Sequence, residues 1–524
     1  MSLINNVFTA YNWRLIKEIE KSFISPFDYQ IEWFNRLTYA GAQTLFGVEH
    51  NFSTFCIPGA AIGSALSKKG FSHRLKAFQR QVPIRDYNAF VPYIDRIRRG
   101  ENNVLWNQRV EWFAKSSGTS AERSKYIPIT PDSLQINHYG GFRRMLSWYV
   151  AQNPSTKIFK GKALTLGGSV QPDEMGSGGT MYGDLSAILL KNSPAIIEML
   201  RAPERETALI ADFNKKVTQI CKESRDLNVT NFSGVPSWNL ILLQRILEYT
   251  GANNIRELWP NIELFMHGGI GFEPYRKMYD AIIPGGGMNY LENYNASEGY
   301  FAFQDNLGLD SMLLTVNNGI FYEFIPMGSL DDAMSGKIKE IPTLADVQTG
   351  VNYAIVITTC GGLWRYMMGD CVQFESLYPH RIRVTGRTQL FINAFGEELM
   401  ISNVEKAMAE TCRECNCSVT DFTVAPVFME LGKKGYHKWA IEFSNPPEDM
   451  EFFTNLLDRN IAHVNSDYAA KRIGNATMER LEIESLAHGT FFKWMSARKR
   501  IGGQNKVPRL YGDMRYIDEL LKIQ

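Results

Sequence analysis

Apolar residues recur every three to four positions over residues 11–22, 28–45 and 73–81, which predicts amphipathic helices in a basic first 100 residues. The period then changes. Val110-Glu111-Trp112-Phe113-Ala114 and Tyr126-Ile127-Pro128-Ile129 are short apolar runs on either side of a polar stretch, so two strands joined by a loop are expected. Thr130-Pro131-Asp132 carries helix-start signals and opens a helix bearing His138, Phe142, Met145, Trp148 and Tyr149. Helical spacing returns over 183–227. Ser233-Gly234-Val235-Pro236-Ser237 reads as a turn into a helix over 238–249.

From about residue 258 short β-rich runs stand between glycines, at 262–266, 288–293, 300–304, 311–316, 320–325, 353–359 and 381–384. Helix-rich then strand-rich segments in one large unit predict a mixed α/β architecture. A boundary is expected at Gly386-Arg387-Thr388-Gln389. Beyond it come a helix (401–414), two strands (422–428, 436–443), a helix (449–468), a strand (478–485) and a short helix (489–498). The fold expected is therefore a large mixed α/β domain, 1–386, followed by a smaller α+β domain, 387–524.

Length supports that division, because 524 residues exceed one ordinary core. The net charge of +1 offers no nucleic-acid footprint and no attraction to an anionic membrane. The chain has no apolar run of about 18 residues, and polar residues interrupt the first 20 positions, so a cytoplasmic protein is expected. Seven cysteines are too few and odd in number for a disulfide framework. Cys412, Cys415 and Cys417 cluster, but no histidine lies near them, so reduced thiols at a helix end are expected rather than a metal site.

Four segments carry candidate chemistry. Ser116-Ser117-Gly118-Thr119-Ser120 sets four hydroxyls and a glycine in five positions, the donor set of a phosphate-holding turn. It fits neither of the common glycine-rich phosphate fingerprints, and a solvated polar turn is the alternative. Tyr294-Asn295-Ala296-Ser297-Glu298 offers an aromatic face, a hydroxyl and a carboxylate, suited to adenine, phosphate and Mg²⁺; an ordinary strand-turn-strand is the alternative. In Gly361-Gly362-Leu363-Trp364-Arg365-Tyr366-Met367-Met368-Gly369-Asp370, an aspartate after a glycine at a strand end can accept ribose hydroxyls, or cap a turn. Arg387, at the boundary, is a hinge cation or a nucleotide contact.

The order Ser-Ser-Gly-Thr-Ser, Tyr-x-x-Ser-Glu, Tyr-x-x-Gly-Asp and Gly-Arg resembles the ANL adenylating superfamily. Within it the chain is similar to the GH3 acyl acid amido synthetases, and closer to their bacterial branch than to the plant enzymes. The tail Gln504-Asn505-Lys506-Val507-Pro508-Arg509 resembles the Lys-x-Pro-Arg segment of the plant proteins. The resemblance implies ATP and Mg²⁺ as cofactors. It implies that Ser116, Ser117, Gly118, Thr119 and Ser120 cradle the β- and γ-phosphates. Tyr294 would lie against adenine, Ser297 near the α-phosphate, Glu298 on Mg²⁺ and Asp370 on the ribose. Arg387 would sit at the hinge, and Lys506 would reach the α-phosphate. For the acyl pocket it suggests Val235, Trp238, Leu242, His267 and Gly268, although core packing accounts equally for Trp238 and Leu242, and a structural histidine is the safer reading of His267. The chain departs from the family in having Asn295-Ala296 for the usual Ala-Ser, and Met367 for a usual arginine, with Arg365 two positions earlier.

The reaction implied is a two-step ligation. A small carboxylic acid is adenylated with release of pyrophosphate, and an amine, expected to be an amino acid, then displaces AMP. An acyl-CoA ligase using the same first step, and a nucleotide-binding regulatory protein without turnover, are the alternatives.

Overall fold

Eleven strands form one sheet through the large domain, in the order Ile320–Pro326, Asn352–Thr359, Tyr366–Leu377, His380–Arg387, Met312–Leu314, Gly299–Phe303, Asn289–Ala296, Leu264–His267, Val229–Gly234, Lys162–Thr165, Arg201–Ala202. The computed structural model describes residues 3–59, 68–116, 125–176, 179–269, 271–388, 392, 397, 399–428, 435–465, 468–469, 472, 478–498 and 507–523. The strand Asn289–Ala296 is the pivot of this sheet. It pairs antiparallel with Gly299–Phe303 and parallel with Leu264–His267. Every pairing on the first side is antiparallel, and every pairing on the second side is parallel. Parallel neighbours need crossover connections, and the helices Phe213–Ser224 and Pro236–Thr250 lie in those connections. The strand direction reverses at this pivot, and the space beyond the carboxyl ends of the parallel strands at such a point is the usual place for a ligand.

The N-terminal helices Trp13–Ile24, Pro26–Gly41 and Phe71–Gln81 form where the apolar spacing predicts them. Phe34, Leu37, Phe78, Phe321, Ile355 and Ile357 share one core cluster that fixes helices to the antiparallel half. A separate four-stranded sheet carries Trp112–Ser116 and Lys125–Ile129 as an antiparallel pair, with Ser116 opposite Lys125. The expected strand-loop-strand is therefore present. Thr130 acts as the cap of the following helix: its hydroxyl accepts the Ser133 N–H at 2.9 Å. That helix begins with a π-helical stretch, Ser133–His138, before the regular Tyr139–Gln152.

After residue 399 the chain builds a three-stranded sheet from Ser418–Val427, Tyr436–Asn445 and Glu482–Leu486. Helices Ile401–Glu414 and Met450–Val464 pack on it through Val404, Met408, Phe453, Leu457 and Trp439. Helices Thr490–Ala497 and Arg515–Ile523 put Phe491, Trp494 and Ile517 into the same cluster as Leu243, Tyr275 and Tyr279 of the large domain. The architecture is thus a large mixed α/β unit with a smaller α+β unit seated on it. Among the described residues no helix is long and apolar enough to cross a membrane.

Four details depart from the sequence reading. Val229–Gly234 is a central strand where a turn was expected from residue 233. Its Thr230 and Asn231 are polar yet buried, because both donate to the Ile158 carbonyl. The helical block 183–227 contains the short edge strand Arg201–Ala202. Asp370 lies within the strand Tyr366–Leu377, not at a strand end. The helix Arg515–Ile523 was not anticipated.

Candidate active site

A two-residue turn at the end of the pivot strand begins the site. Ala296 pairs with Gly299, so Ser297 and Glu298 form the hairpin tip. Ser297 is buried. Glu298 is half-buried and accepts a bond from the Tyr366 hydroxyl at 3.3 Å. No cation is within ion-pair distance of the Glu298 carboxylate among the described residues. Burial pushes its pKa up, the Lys125 ammonium opposes that, and the Asp370 carboxylate adds to the rise.

Tyr294 precedes the tip, and its ring packs at 4.8 Å on Phe301. Its hydroxyl donates to Asp370 Oδ2 at 2.5 Å. Burial first, and Asp370 second, hold the phenol well above its ordinary pKa, so it remains a donor. Asp370 and Arg387 are opposite one another in the sheet register. Arg387 Nε meets Asp370 Oδ1 at 2.9 Å, and the carboxylate raises the pKa of the guanidinium in turn. Both Asp370 oxygens thus have a partner, and each retains a further lone pair for a hydroxyl. Gly369, at φ +87°, supplies the backbone turn just before Asp370. Tyr294, Glu298, Asp370 and Arg387, read from three separate segments, come together here.

Behind the hairpin, His138 sits at the end of the π-helical stretch, and its Nδ1 lies 3.3 Å from the Asn295 side-chain oxygen. Burial depresses the His138 pKa to about 4, so the ring is neutral. Arg365 does not stand in for the arginine missing at Met367. It is fully buried, pairs with Glu323 at 2.8 Å and donates to the carbonyls of Gln79 and Val82. Met367 is buried in a small apolar cluster with Ile325 and Val356.

Of the residues suggested for the acyl pocket, Val235, His267 and Gly268 follow the parallel strand ends, and Trp238 and Leu242 lie in the helix Pro236–Thr250. Val235 caps the helix Pro236–Thr250 directly after the strand ending at Gly234. His267 ends the next strand, 3% exposed, stacked on Phe272 at 4.3 Å and depressed to about 3 by burial. A Cβ on Gly268 would come within 2.3 Å of the Asn293 carbonyl, so the backbone approach there excludes a side chain. Leu242 is fully buried in the helix–sheet core. Trp238 lines a cavity of about 760 Å³ between the two domains, with Ile241, Tyr275, Phe491 and Arg509.

Ser117, Gly118, Thr119, Ser120 and Lys506 lie outside the described residues, as does the side chain of Ser116. The anchors on either side of them are described. Ser116 and Lys125 close the hairpin below the first. After the second, Arg509 pairs with Asp421 at 2.7 Å and donates to the Tyr275 hydroxyl at 2.5 Å, joining the small domain to the large. Sequence reasoning assigned no role to Tyr366 or Lys125. A period of two over Tyr366, Met368 and Asp370 would have put Tyr366 beside Asp370 had that segment been read as a strand. Cys412, Cys415 and Cys417 are free thiols around the end of the helix Ile401–Glu414.

Known proteins resemble this chain in sequence and in fold. The GH3 family N-terminal, central and C-terminal domains match residues 15–221, 313–387 and 402–514. The jasmonoyl–L-amino acid synthetase JAR6 of Nicotiana attenuata is 23% identical over 523 residues, covering 83% of this chain and 86% of that protein. The 4-substituted benzoates–glutamate ligase GH3.12 of Arabidopsis thaliana is 22% identical over 511 residues, covering 82% and 87%. Among solved structures, the GH3.15 acyl acid amido synthetase superposes with a TM-score of 0.74 at 17% identity, covering 97% of this chain and 95% of that one. With all three domains matched in chain order, this chain belongs to the GH3 family.

Proposed function

We propose that the protein is an ATP-dependent acyl acid amido synthetase. It joins a small carboxylic acid to an amino acid and releases pyrophosphate and AMP. The observation that carries this reading is the convergence of Tyr294, Glu298, Asp370 and Arg387 at the end of the pivot strand. The names of its relatives, which act on jasmonate and on substituted benzoates, support the acid-plus-amino-acid pairing.

A carboxylate is a poor electrophile because its leaving group would be oxide. Attack on the α-phosphate of ATP replaces that with AMP. Tyr294 offers its ring to the adenine, while Asp370, braced by Arg387 and Tyr294, accepts the ribose hydroxyls. Ser116 to Ser120 hold the β- and γ-phosphates, and Ser297 stands near the α-phosphate. Glu298 is a carboxylate without a cationic partner among the described residues, steadied by Tyr366, and that donor chemistry fits Mg²⁺. When bound, Mg²⁺ offsets phosphate charge. Lys506 brings a further cation to the α-phosphate, where charge develops. Val235, His267 and Gly268 shape the acid's end of the crevice, and Trp238 borders the cavity between the domains. Between the two steps the small domain, 387–524, turns about 386–389, exchanging the groups that cover the adenylate.

Carboxylate-dependent ATP–pyrophosphate exchange with pooled aryl, indolyl and fatty acids tests this, followed by AMP release on adding amino acids or CoA. Exchange with amino-acid-stimulated AMP release is expected. Stimulation by CoA alone, or ATP binding without exchange, would contradict it.

A further inference from the structure

Glu292 stands on the pivot strand two residues before Tyr294, so alternation along the strand sends both side chains to one face. The parallel register sets it beside His267, whose side chain leaves the same face at the same level. Its backbone is fully used: the N–H goes to the Gln304 side chain and the carbonyl to the Gln304 N–H. Its carboxylate makes no hydrogen bond and no ion pair among the described residues. His267 Nδ1, next to it, is also buried without a partner.

Two further carboxylates act on Glu292. The small-domain helix Ile401–Glu414 presents Glu405 from above, close against Gly271. Asp310 approaches from the turn after Gly299–Phe303, and both carboxylates disfavour charge on Glu292. The positive groups nearby have carboxylates of their own: Arg383 pairs with Glu375 at 3.4 Å and Arg276 with Asp280 at 3.3 Å. Burial, then Glu405, then Asp310 push the Glu292 pKa up to about 7, with Arg383 opposing. The second substrate of the proposed reaction arrives as an ammonium ion and must become a free amine before it can attack.

We propose that Glu292 binds the ammonium group of the acceptor amino acid and takes its proton. The N–H bond breaks toward the carboxylate, and the freed lone pair forms the C–N bond at the acyl carbon. The bond from that carbon to the phosphate oxygen breaks, its electron pair leaving on AMP, and the second amine proton departs to solvent. The inference rests on the amido synthetase reading above and adds the group that activates the acceptor.

The test compares the full-length protein with Glu292→Gln, using the pooled acids, ATP and the twenty amino acids between pH 6 and 9. Hydroxylamine, already neutral at pH 7, serves as an acceptor that needs no base. Amide formation should fall about 10²-fold at pH 7 in the variant, with the deficit shrinking as pH rises. Hydroxamate formation and pyrophosphate exchange should stay within about threefold of the original protein. Glu292→Asp should recover part of the amide rate. Undiminished amide formation in Glu292→Gln would overturn the assignment. So would parallel loss of exchange and hydroxamate formation, which would make the residue structural. Failure of the original protein to exchange pyrophosphate or form amides would defeat the reading of the reaction itself.

Discussion

Arg365 and Asp370 lie five positions apart in one motif and serve different ends. Arg365 has a positive φ of 46° and its whole fork is spent on Glu323 and the carbonyls of Gln79, Val82 and Lys339. Removing it leaves a buried carboxylate uncompensated, so Arg365→Ala should cost about 3–5 kcal/mol, read as a shift in the urea unfolding midpoint. Asp370 is held by Arg387 and Tyr294 at the crevice. Asp370→Asn keeps shape but weakens a charge-assisted contact, so ATP should bind about tenfold more weakly with little loss of stability. Calorimetric titration with ATP checks this; unchanged affinity would remove Asp370 from the nucleotide site. Both residues stand in the same sequence pattern, and their roles were not separable there. The partner of Arg365, Glu323, is 42 positions away and reached only through the sheet.

At the scale of elements, the pivot strand and its hairpin do most of the positioning. Gly268 is packed against the Asn293 carbonyl, which makes it a sensitive point. Gly268→Ala should displace the strand Asn289–Ala296, lowering the melting temperature and the exchange rate together. Exchange at the original level would show that the two strand ends are not coupled. Short β-rich runs made the hairpin 288–304 legible in the sequence, because Gly299–Phe303 is buried throughout and is built of apolar residues. Val229–Gly234 was not legible, since Ser233 and Gly234 read as the start of a turn and the polar Thr230 and Asn231 give no strand signal until the Ile158 carbonyl supplies their partner. The strand containing Asp370 was hidden by Gly361, Gly362 and Gly369, which look like turn residues although the last only kinks a strand.

For the whole molecule, the two-unit plan could be read from the change in texture near residue 386, but the docking of the units could not. Arg509 links Asp421 and Tyr275 across the boundary, a contact between residues 234 positions apart. Buried titratable groups make stability depend on pH in both directions. His267 at about 3 and His138 at about 4 refuse protons that the unfolded chain accepts near pH 6.5. Their contribution is intact above that pH and is lost below it, at about 1.4 kcal/mol per pH unit for each. Asp421 at about 6 and Glu292 at about 7 act oppositely, since the fold protonates them before the unfolded chain does. In urea titrations at pH 7 and pH 5, His267→Gln should therefore show a smaller loss, or a larger gain, of stability on acidification than the original protein. An identical pH dependence would mean that His267 is not held neutral.

The central claim is that one crevice adenylates an acid and then hands it to an amine. The most direct measurement mixes the protein with ATP, Mg²⁺ and the pooled acids, adds the twenty amino acids, and follows AMP and amide products by mass spectrometry. Amide and AMP appearing in equal amounts, and only with both substrates present, is the result expected. AMP released with acid alone and no amide formed on adding amino acids would contradict the account.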